Sequence, residues 1–418
     1  MNKKKKKKIL FDASVLKHGL ESNCNRSGIY FVAYNLLKQF CKNQELEVTL
    51  FFKHNRYYYA YKQLRDKNVI PSNCKFKKKC AFFVDIIYAC KQGNDNLLKK
   101  IGRFISARFF NLYDFYHTHI PPQGYDIYFS PVDYIPNCIQ RCKSIKRYHL
   151  VHDLIPIILP DFCTNDSKKW GKKFLKETNN NTTYFTVSSN TKQDLIQHTN
   201  IKEENILVTL LGANENFYPI KDENTTLKIK QKYKIPIDKL YIFSFCTLEP
   251  RKNLIFALHN FINFIKQHNI NNLVMVLGGA IRNDFKHIIE NFMKEYSNYS
   301  DKIIITGYVA DEDVKILYSN ALCFVYPSLY EGFGMPILEA MQCGCPVICS
   351  NTSSMPEVIG NAGILINPKS DNDIIAAYTK YYFDNEFRTD CIQKSLKRAK
   401  TFSWEKCTNI MLNKFLDN

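Results

Sequence analysis

A chain of 418 residues is long for one hydrophobic core, so two domains are expected. Its 15 cysteines include no CxxC pair, and no apolar run approaches the roughly 20 residues that a bilayer span needs. This argues for reduced thiols in a folded cytoplasmic protein, and against a disulfide scaffold or an integral membrane protein. The net charge of +19 is lopsided: residues 1–110 hold 24 Lys/Arg against 7 Asp/Glu, and the other 308 residues hold 34 against 32. Such asymmetry points to an anionic partner on the N-terminal side, a membrane surface with anionic lipids first. Lysines that are simply solvated are the competing reading. The leader MNKKKKKKILFDASVL lacks an adequate apolar stretch and a small-residue cleavage site, so no signal peptide is expected.

Short runs rich in Val, Ile, Phe and Tyr alternate with segments of helical period, the pattern of stacked βα units around parallel sheets. In the first half the strand candidates are KILFDASVL, EVTLFF, YDIYFSP, YHLVHDLIP, YFTVSS and ILVTLLG, and an apolar helix follows Gly28. Residues 53–116 give no clean pattern and are assigned to an insertion on the acceptor side. Polarity rises around 216–226, where a domain boundary is placed. The second half supplies LYIFSFCTL, NLVMVLGG, KIIITGYV, ALCFVYPS, PVICS and GILINP, with helices between them. The predicted units are 1–216, 217–400, and a helix in 401–418 that returns to the first domain. Two doubly wound α/β domains would then face each other across a cleft, with ligand at the C-terminal ends of the strands.

The segment from Tyr326 to Ser350, YPSLYEGFGMPILEAMQCGCPVICS, is the most informative. A buried strand leads into a loop with Glu331, Gly332, Phe333 and Gly334, and Pro336 opens a helix that carries Glu339. Gly332 and Gly334 are expected to let backbone approach a ligand closely. The helix start offers free N–H groups to an anion or to hydroxyl oxygens. Two carboxylates framing such a loop can hold sugar hydroxyls, since each accepts several hydrogen bonds. A nucleotide-sugar site follows.

E331-GFGMPIL-E339 resembles the signature of family 4 of the retaining GT-B glycosyltransferases. TLEPRKN (Thr247–Asn253), GYVADEDV (Gly307–Val314) and SSMPEVIGNAGILINP (Ser353–Pro368) are similar to further segments of that family, as are VHDLIP (Val151–Pro156), TVSSNTKQDLI (Thr186–Ile196) and LGANENFYP (Leu211–Pro219). The resemblance covers most of residues 120–410. It implies the GT-B fold, two Rossmann-like domains with the last helix crossing back. It also implies that Glu339 binds the nucleotide ribose, that Glu331 contacts the donor sugar, and that the Gly332–Phe333–Gly334 backbone touches sugar and phosphate. His152 matches a histidine that approaches the donor sugar and is expected to donate a hydrogen bond to it; Asp153 lies beside it. Gly28 resembles the glycine loop near the donor phosphates, although only Ser27–Gly28 stands where fuller glycine clusters are common. Glu357 resembles a glutamate that orders the loop.

Transfer from a nucleotide sugar must stabilise charge on a departing diphosphate, and cationic donors fixed at a strand end do so with little reorganisation. Arg251 and Lys252 stand at such a place, with Glu249 set to orient Arg251. A basic pair at a helix start opposes the helix dipole, which favours the functional reading. Asn190 and Lys192 are expected to reach the cleft. No GxxxxGK[ST] occurs, and no full GxGxxG follows a strand. Asp311–Glu312–Asp313 resembles a DxD metal motif but opens an apparent helix, where a capping role is expected. Cys343, Cys345 and Cys349 are assigned to the core, and His117–Thr118–His119 is too thin a set for a metal site. No metal and no cofactor are expected.

The expectation is a cytoplasmic retaining hexosyltransferase at the inner face of the membrane. It would move mannose from GDP-mannose to a sugar hydroxyl of a lipid-linked surface polysaccharide of the lipopolysaccharide or capsule type, without a nucleic-acid partner. The forms VHDLIP and TLEPRKN are most similar to those of mannosyltransferases. Two rivals are a nucleotide-sugar epimerase with the same two-domain plan and a degenerate transferase fold that binds an anionic polymer.

Overall fold

The computed structural model describes residues 6–16, 28–52, 64–65, 70–76 and 122–417. Strands β1 (Lys7–Asp12), β2 (Leu46–Phe51), β3 (Lys75–Phe76), β4 (Ile127–Ser130), β5 (Lys146–Val151), β6 (Thr182–Thr186) and β7 (Ile206–Val208) form one parallel sheet, in the order β3-β2-β1-β4-β5-β6-β7. Strands β8 (Leu240–Phe245), β9 (Leu273–Gly278), β10 (Ile303–Gly307), β11 (Cys323–Tyr326), β12 (Val347–Ser350) and β13 (Ile364–Ile366) form a second, in the order β10-β9-β8-β11-β12-β13. Each order reverses once, between β1 and β4 and between β8 and β11. A crevice opens at such a reversal beyond the carboxyl ends of the strands.

Helices on both faces explain why the central strands are continuous apolar runs. Every residue of β9, β11 and β12 is buried. Helix Leu254–Gln267 buries Leu254, Ala257, Leu258, Phe261, Ile262 and Ile265, a stripe at helical spacing that meets the second sheet. Cys343, Cys345 and Cys349 are buried core residues. Strand β3 is an addition to the sequence reading. It is two residues long, and its pairing with β2 comes from the sheet edge rather than from any local alternation. The remainder of the assigned insertion (53–63, 66–69 and 77–116) lies outside the described residues, as do Lys3–Lys5, Ser27 and His117–His119. Among the described residues no helix is long and apolar enough to cross a membrane.

The last helix, Trp404–Leu416, is capped by Ser403, whose hydroxyl accepts from Lys406 N. It crosses back to the first sheet. Phe415 packs edge-on against Tyr148 at 4.6 Å and against Phe40 at 5.3 Å, and the Tyr148 hydroxyl donates to Lys414 O at 2.9 Å. Gly212 lies under the start of this helix, where a Cβ would come within 2.3 Å of Trp404 N. The two sheets are therefore joined by packed structure as well as by the connecting chain.

Candidate active site

Beyond β8 the chain makes a 3-10 turn, Pro250–Lys252. Asn253 then takes a left-handed backbone (φ 57°) before helix Leu254–Gln267 begins. Asparagine tolerates that conformation better than most residues, and its amide is held by Pro368 O at 2.9 Å. The turn aims Arg251 and Lys252 at the loop after β11. Lys252 Nζ lies 2.6 Å from Glu331 Oε1 and 2.7 Å from the Tyr326 hydroxyl. Arg251 reaches Glu331 Oε1 at 3.0 Å, Glu249 Oε1 at 2.7 Å and Tyr330 O at 2.5 Å. Glu249 does orient Arg251, and it pairs with Arg282 as well, at 2.5 Å.

Burial opposes ionisation of Glu331. Lys252 and Arg251 beside it, with hydrogen bonds from Lys252 and Ser328, overcome that effect and hold its carboxyl at about 2. Burial likewise works against the charge on Arg251, and Glu331 and Glu249 outweigh it, so its pKa rises. The result is a preformed cluster of Arg251, Lys252 and Arg282 with Glu249 and Glu331. Its charges are fixed before any ligand arrives.

The glycines of the loop also serve the packing. A Cβ on Gly332 would sit 2.0 Å from the His152 carbonyl oxygen, so glycine here allows close contact between the two domains. Its own carbonyl accepts from Ser188 Oγ at 2.7 Å, again from the other domain. Gly334 is the N-cap of helix Met335–Gln342 in a left-handed conformation (φ 102°). Both glycines, with Phe333 and Glu331, line a cavity of about 510 Å³ between the domains, which Gly28 borders from the opposite side. A Cβ on Gly28 would meet nothing within 4 Å, so the fold itself does not require glycine there.

Glu339 lines the same cavity half-buried, rather than standing exposed on its helix. Burial, reinforced by the nearby Asp311 carboxylate, raises its carboxyl to about 7. Asp311 is thus in the cavity wall and not a helix cap. The N-cap is Ala310, while Asp313 accepts from Lys232 at 2.6 Å and from the Tyr233 hydroxyl at 2.6 Å. Among the described residues no cluster of His, Cys, Asp and Glu has metal-ligand geometry.

On the N-terminal side, His152 and Asp153 follow β5 and border the cavity. The His152 Nε2 donates to Pro131 O at 2.7 Å, because a carbonyl can only accept. Burial lowers its pKa, which favours the neutral ring, and in that tautomer Nδ1 is an acceptor. Burial raises the Asp153 pKa, and its Oδ1 takes the Ile155 N–H at 3.0 Å.

Asn190 and Lys192 do not line the cavity. Both sit on helix Ser189–His198, whose first turn packs behind the glycine loop. Asn190 donates to Asp194 at 2.9 Å and to the Tyr330 hydroxyl at 2.7 Å, bracing the residue before Glu331; Lys192 turns to Glu203 at 2.9 Å. Glu357 accepts from Ser189 N at 2.8 Å and Ser189 Oγ at 2.7 Å, which fixes the start of that helix against the second domain.

Comparison with known proteins bears on this arrangement. The glycosyl transferases group 1 family matches residues 225–398. The O-antigen chain mannosyltransferase B of Escherichia coli is 32% identical over 290 residues, which cover 69% of this chain and 74% of that one. The chain belongs to the glycosyl transferases group 1 family. The serotype-specific mannosyltransferase WbdA of Escherichia coli is 29% identical over 273 residues, 65% of this chain but only 33% of that longer protein. The structure of Alr3699/HepE from Anabaena, in complex with UDP and glucose, superposes with a TM-score of 0.65 at 14% identity and covers 99% of this chain and all of that one. The fold is thus GT-B, and the chain is a glycosyltransferase.

Several residues that support the charged cluster of this glycosyltransferase were not singled out from sequence. Ser328 and Tyr326 complete the hydrogen bonding around Glu331 and Lys252, at 2.5 and 2.7 Å. Tyr330 bridges Asn190 and Asp194. Arg282 lies about 30 residues beyond Arg251 in a different loop, and nothing local marks it as the second partner of Glu249.

Proposed function

We propose that this glycosyltransferase transfers mannose, with retention of configuration, from GDP-mannose to a sugar hydroxyl of a lipid-linked surface polysaccharide of the O-antigen type. The observation that carries the reading is the Arg251–Lys252–Glu331 cluster at the reversal point of the second sheet, with Glu339 in the same cavity wall. The named functions of the Escherichia coli relatives supply the sugar and the acceptor class.

In this reading the diphosphate competes with Glu331 and Glu249 for the N–H donors of Arg251 and Lys252. These two cations take the charge that builds on the leaving group, with no metal ion in that role. The acceptor hydroxyl attacks C1 on the face that the diphosphate leaves. The C1–O bond to phosphate breaks, the new glycosidic C1–O bond forms, and the departing phosphate oxygen takes the acceptor proton. Glu339 in its ionised form accepts the ribose hydroxyls. The basic residues 1–110 are assigned to an anionic membrane surface at the inner face, where a lipid-linked acceptor would be held.

The test is thermal unfolding with GDP, UDP, ADP and their sugars, with and without EDTA. A ligand at a hundred times its dissociation constant adds about 2.7 kcal/mol of stability. A GDP-selective shift that survives EDTA and is lost in Glu339→Ala is the expected result. A panel without any shift, or a shift that needs metal, would sink the corresponding part. NMR of the product then reads the anomeric configuration, and an inverted linkage would overturn retention.

A further inference from the structure

A second cavity, of about 490 Å³, adjoins the first and shares Ile29, His152, Asp153, Glu249 and Arg251 with it. Its remaining wall comes largely from the segment after β5, through Phe162, Thr164, Asp166, Ser167 and Trp170, with Arg282 from the other domain. Arg282 donates to Phe162 O at 3.2 Å, so both domains build this cavity and are tied together within it.

Its chemistry selects among occupants. Trp170 stacks on Phe174, with ring centroids 5.3 Å apart and planes 9° apart, which makes a stiff aromatic platform. Three carboxylates, Asp153, Asp166 and Glu249, border the space. Both arginines in the wall are already paired, Arg251 with Glu249 and Glu331 and Arg282 with Glu249 and Asp284. Glu249 is spent on the two arginines, so an anionic headgroup would find no free cation among them, while Asp153 and Asp166 border the space as hydrogen-bond acceptors. A neutral pyranose fits both features: its C–H face suits an aromatic ring, and its hydroxyls suit carboxylates.

We infer that this cavity receives the acceptor sugar, stacked on Trp170, with hydroxyls accepted by Asp166 and by Asp153 at the wall common to both cavities. The inference rests on the reading of the larger cavity as the donor site. A sugar held this way presents a hydroxyl across Asp153 toward that site, where attack must occur. Trp170 is then a specificity residue for the acceptor and stands apart from nucleotide binding.

The chain has two tryptophans, and Trp404 is buried at the start of the last helix, so a ligand on Trp170 has a direct optical reporter. α-Linked mannotriose is titrated into the full chain saturated with GDP, with tryptophan emission and calorimetry read in parallel. The expected result is a saturable emission change, with mannotriose affinity at least tenfold weaker in Trp170→Ala. Trp170→Phe should recover most of the calorimetric affinity without the emission change. The stabilisation by GDP should be the same in all three proteins. Unchanged mannotriose affinity in Trp170→Ala would overturn the assignment, as would absence of mannotriose binding to protein that GDP stabilises. Inorganic phosphate or phosphatidylglycerol vesicles changing the Trp170 emission where mannotriose does not would also overturn it. Failure of GDP to stabilise any of the proteins would instead strike the donor reading, while the mannotriose titration still reports on this cavity.

Discussion

Glu339 offers a test in which stability and function move in opposite directions. Its carboxyl is raised from 4.5 to about 7, first by burial and then by Asp311. The folded state therefore holds this proton more tightly than the unfolded chain does. The associated stability is fully present below pH 4.5 and is lost as the pH rises through 7. At about 1.4 kcal/mol per pH unit the shift corresponds to roughly 3 kcal/mol, and solvent reaching the half-buried carboxyl through the open cavity brings the expected effect to about 2 kcal/mol. Glu339→Gln removes the charge but keeps the shape. It should be more stable than the parent by about 2 kcal/mol at pH 8, a rise of a few degrees in Tm, and nearly equal to it at pH 5. Urea and thermal unfolding at pH 5, 6, 7 and 8 give the comparison directly. The same variant should lose nucleotide-induced stabilisation, because a neutral amide cannot accept two ribose hydroxyls as a carboxylate does. In the parent, nucleotide affinity should rise up to about tenfold from pH 6 to pH 8, following the ionised fraction. If Glu339→Gln is no more stable than the parent at pH 8, or retains the parent's pH slope, then burial of a charge in the cavity wall is not what sets this residue's properties.

Arg251→Ala should lower kcat by about a hundredfold or more, and it should also destabilise the protein by about 3 kcal/mol, because Glu331 and Glu249 lose a buried partner. Arg251→Lys should return much of the stability, with unfolding and single-turnover rates separating the two effects. Gly332→Ala should destabilise by more than about 2 kcal/mol and abolish nucleotide binding, since its Cβ would fall 2.0 Å from a backbone oxygen of the opposite domain. Gly28→Ala should leave the Tm within a degree or so, as a Cβ there meets nothing; unfolding of the two variants side by side decides this. The Glu331 carboxyl is depressed, so its contribution is present above pH 4.5 and is lost as the pH falls toward 2. Glu331→Gln should flatten that acid limb in equilibrium unfolding between pH 4.5 and 2.

The parts of the fold that were legible in the sequence are those dictated by local pattern. Apolar runs such as NLVMVLGG and ALCFVYPS are short, carry β-branched or aromatic residues and are bounded by Gly or Pro, which favours strands covered on both faces, and each appears within a parallel sheet. Strand β3 was not legible, because two residues carry no period and the neighbouring β2 alone makes them a strand. In the site, residue types were readable and partners were not. Arg251, Lys252 and Glu331 converge as their chemistry suggested, yet Arg282 was invisible, because its link to Glu249 spans 33 positions. Asn190 shows the complementary limit. An amide just after a strand end looks available to a ligand, but its hydrogen bonds go to Tyr330 and Asp194, a choice fixed by the opposite domain.

Gly332 makes the same point with a consequence for mechanism. Glycine between a strand and a helix start suggests room for a ligand, and here the position of the missing Cβ is also taken by the His152 carbonyl. The residue after Glu331 is thus in backbone contact with the loop that carries His152 and Asp153. Ser188 and Glu357 add hydrogen bonds across the same boundary, at 2.7 Å to Gly332 O and 2.8 Å to Ser189 N. The carboxylate that holds Arg251 and Lys252 therefore cannot shift far without moving the wall shared by the two cavities. In the proposed reading, a diphosphate that draws those cations away from Glu331 would act on a loop braced against the wall that both cavities share, and nucleotide and mannotriose affinities measured in each other's presence would show whether the two cavities are coupled.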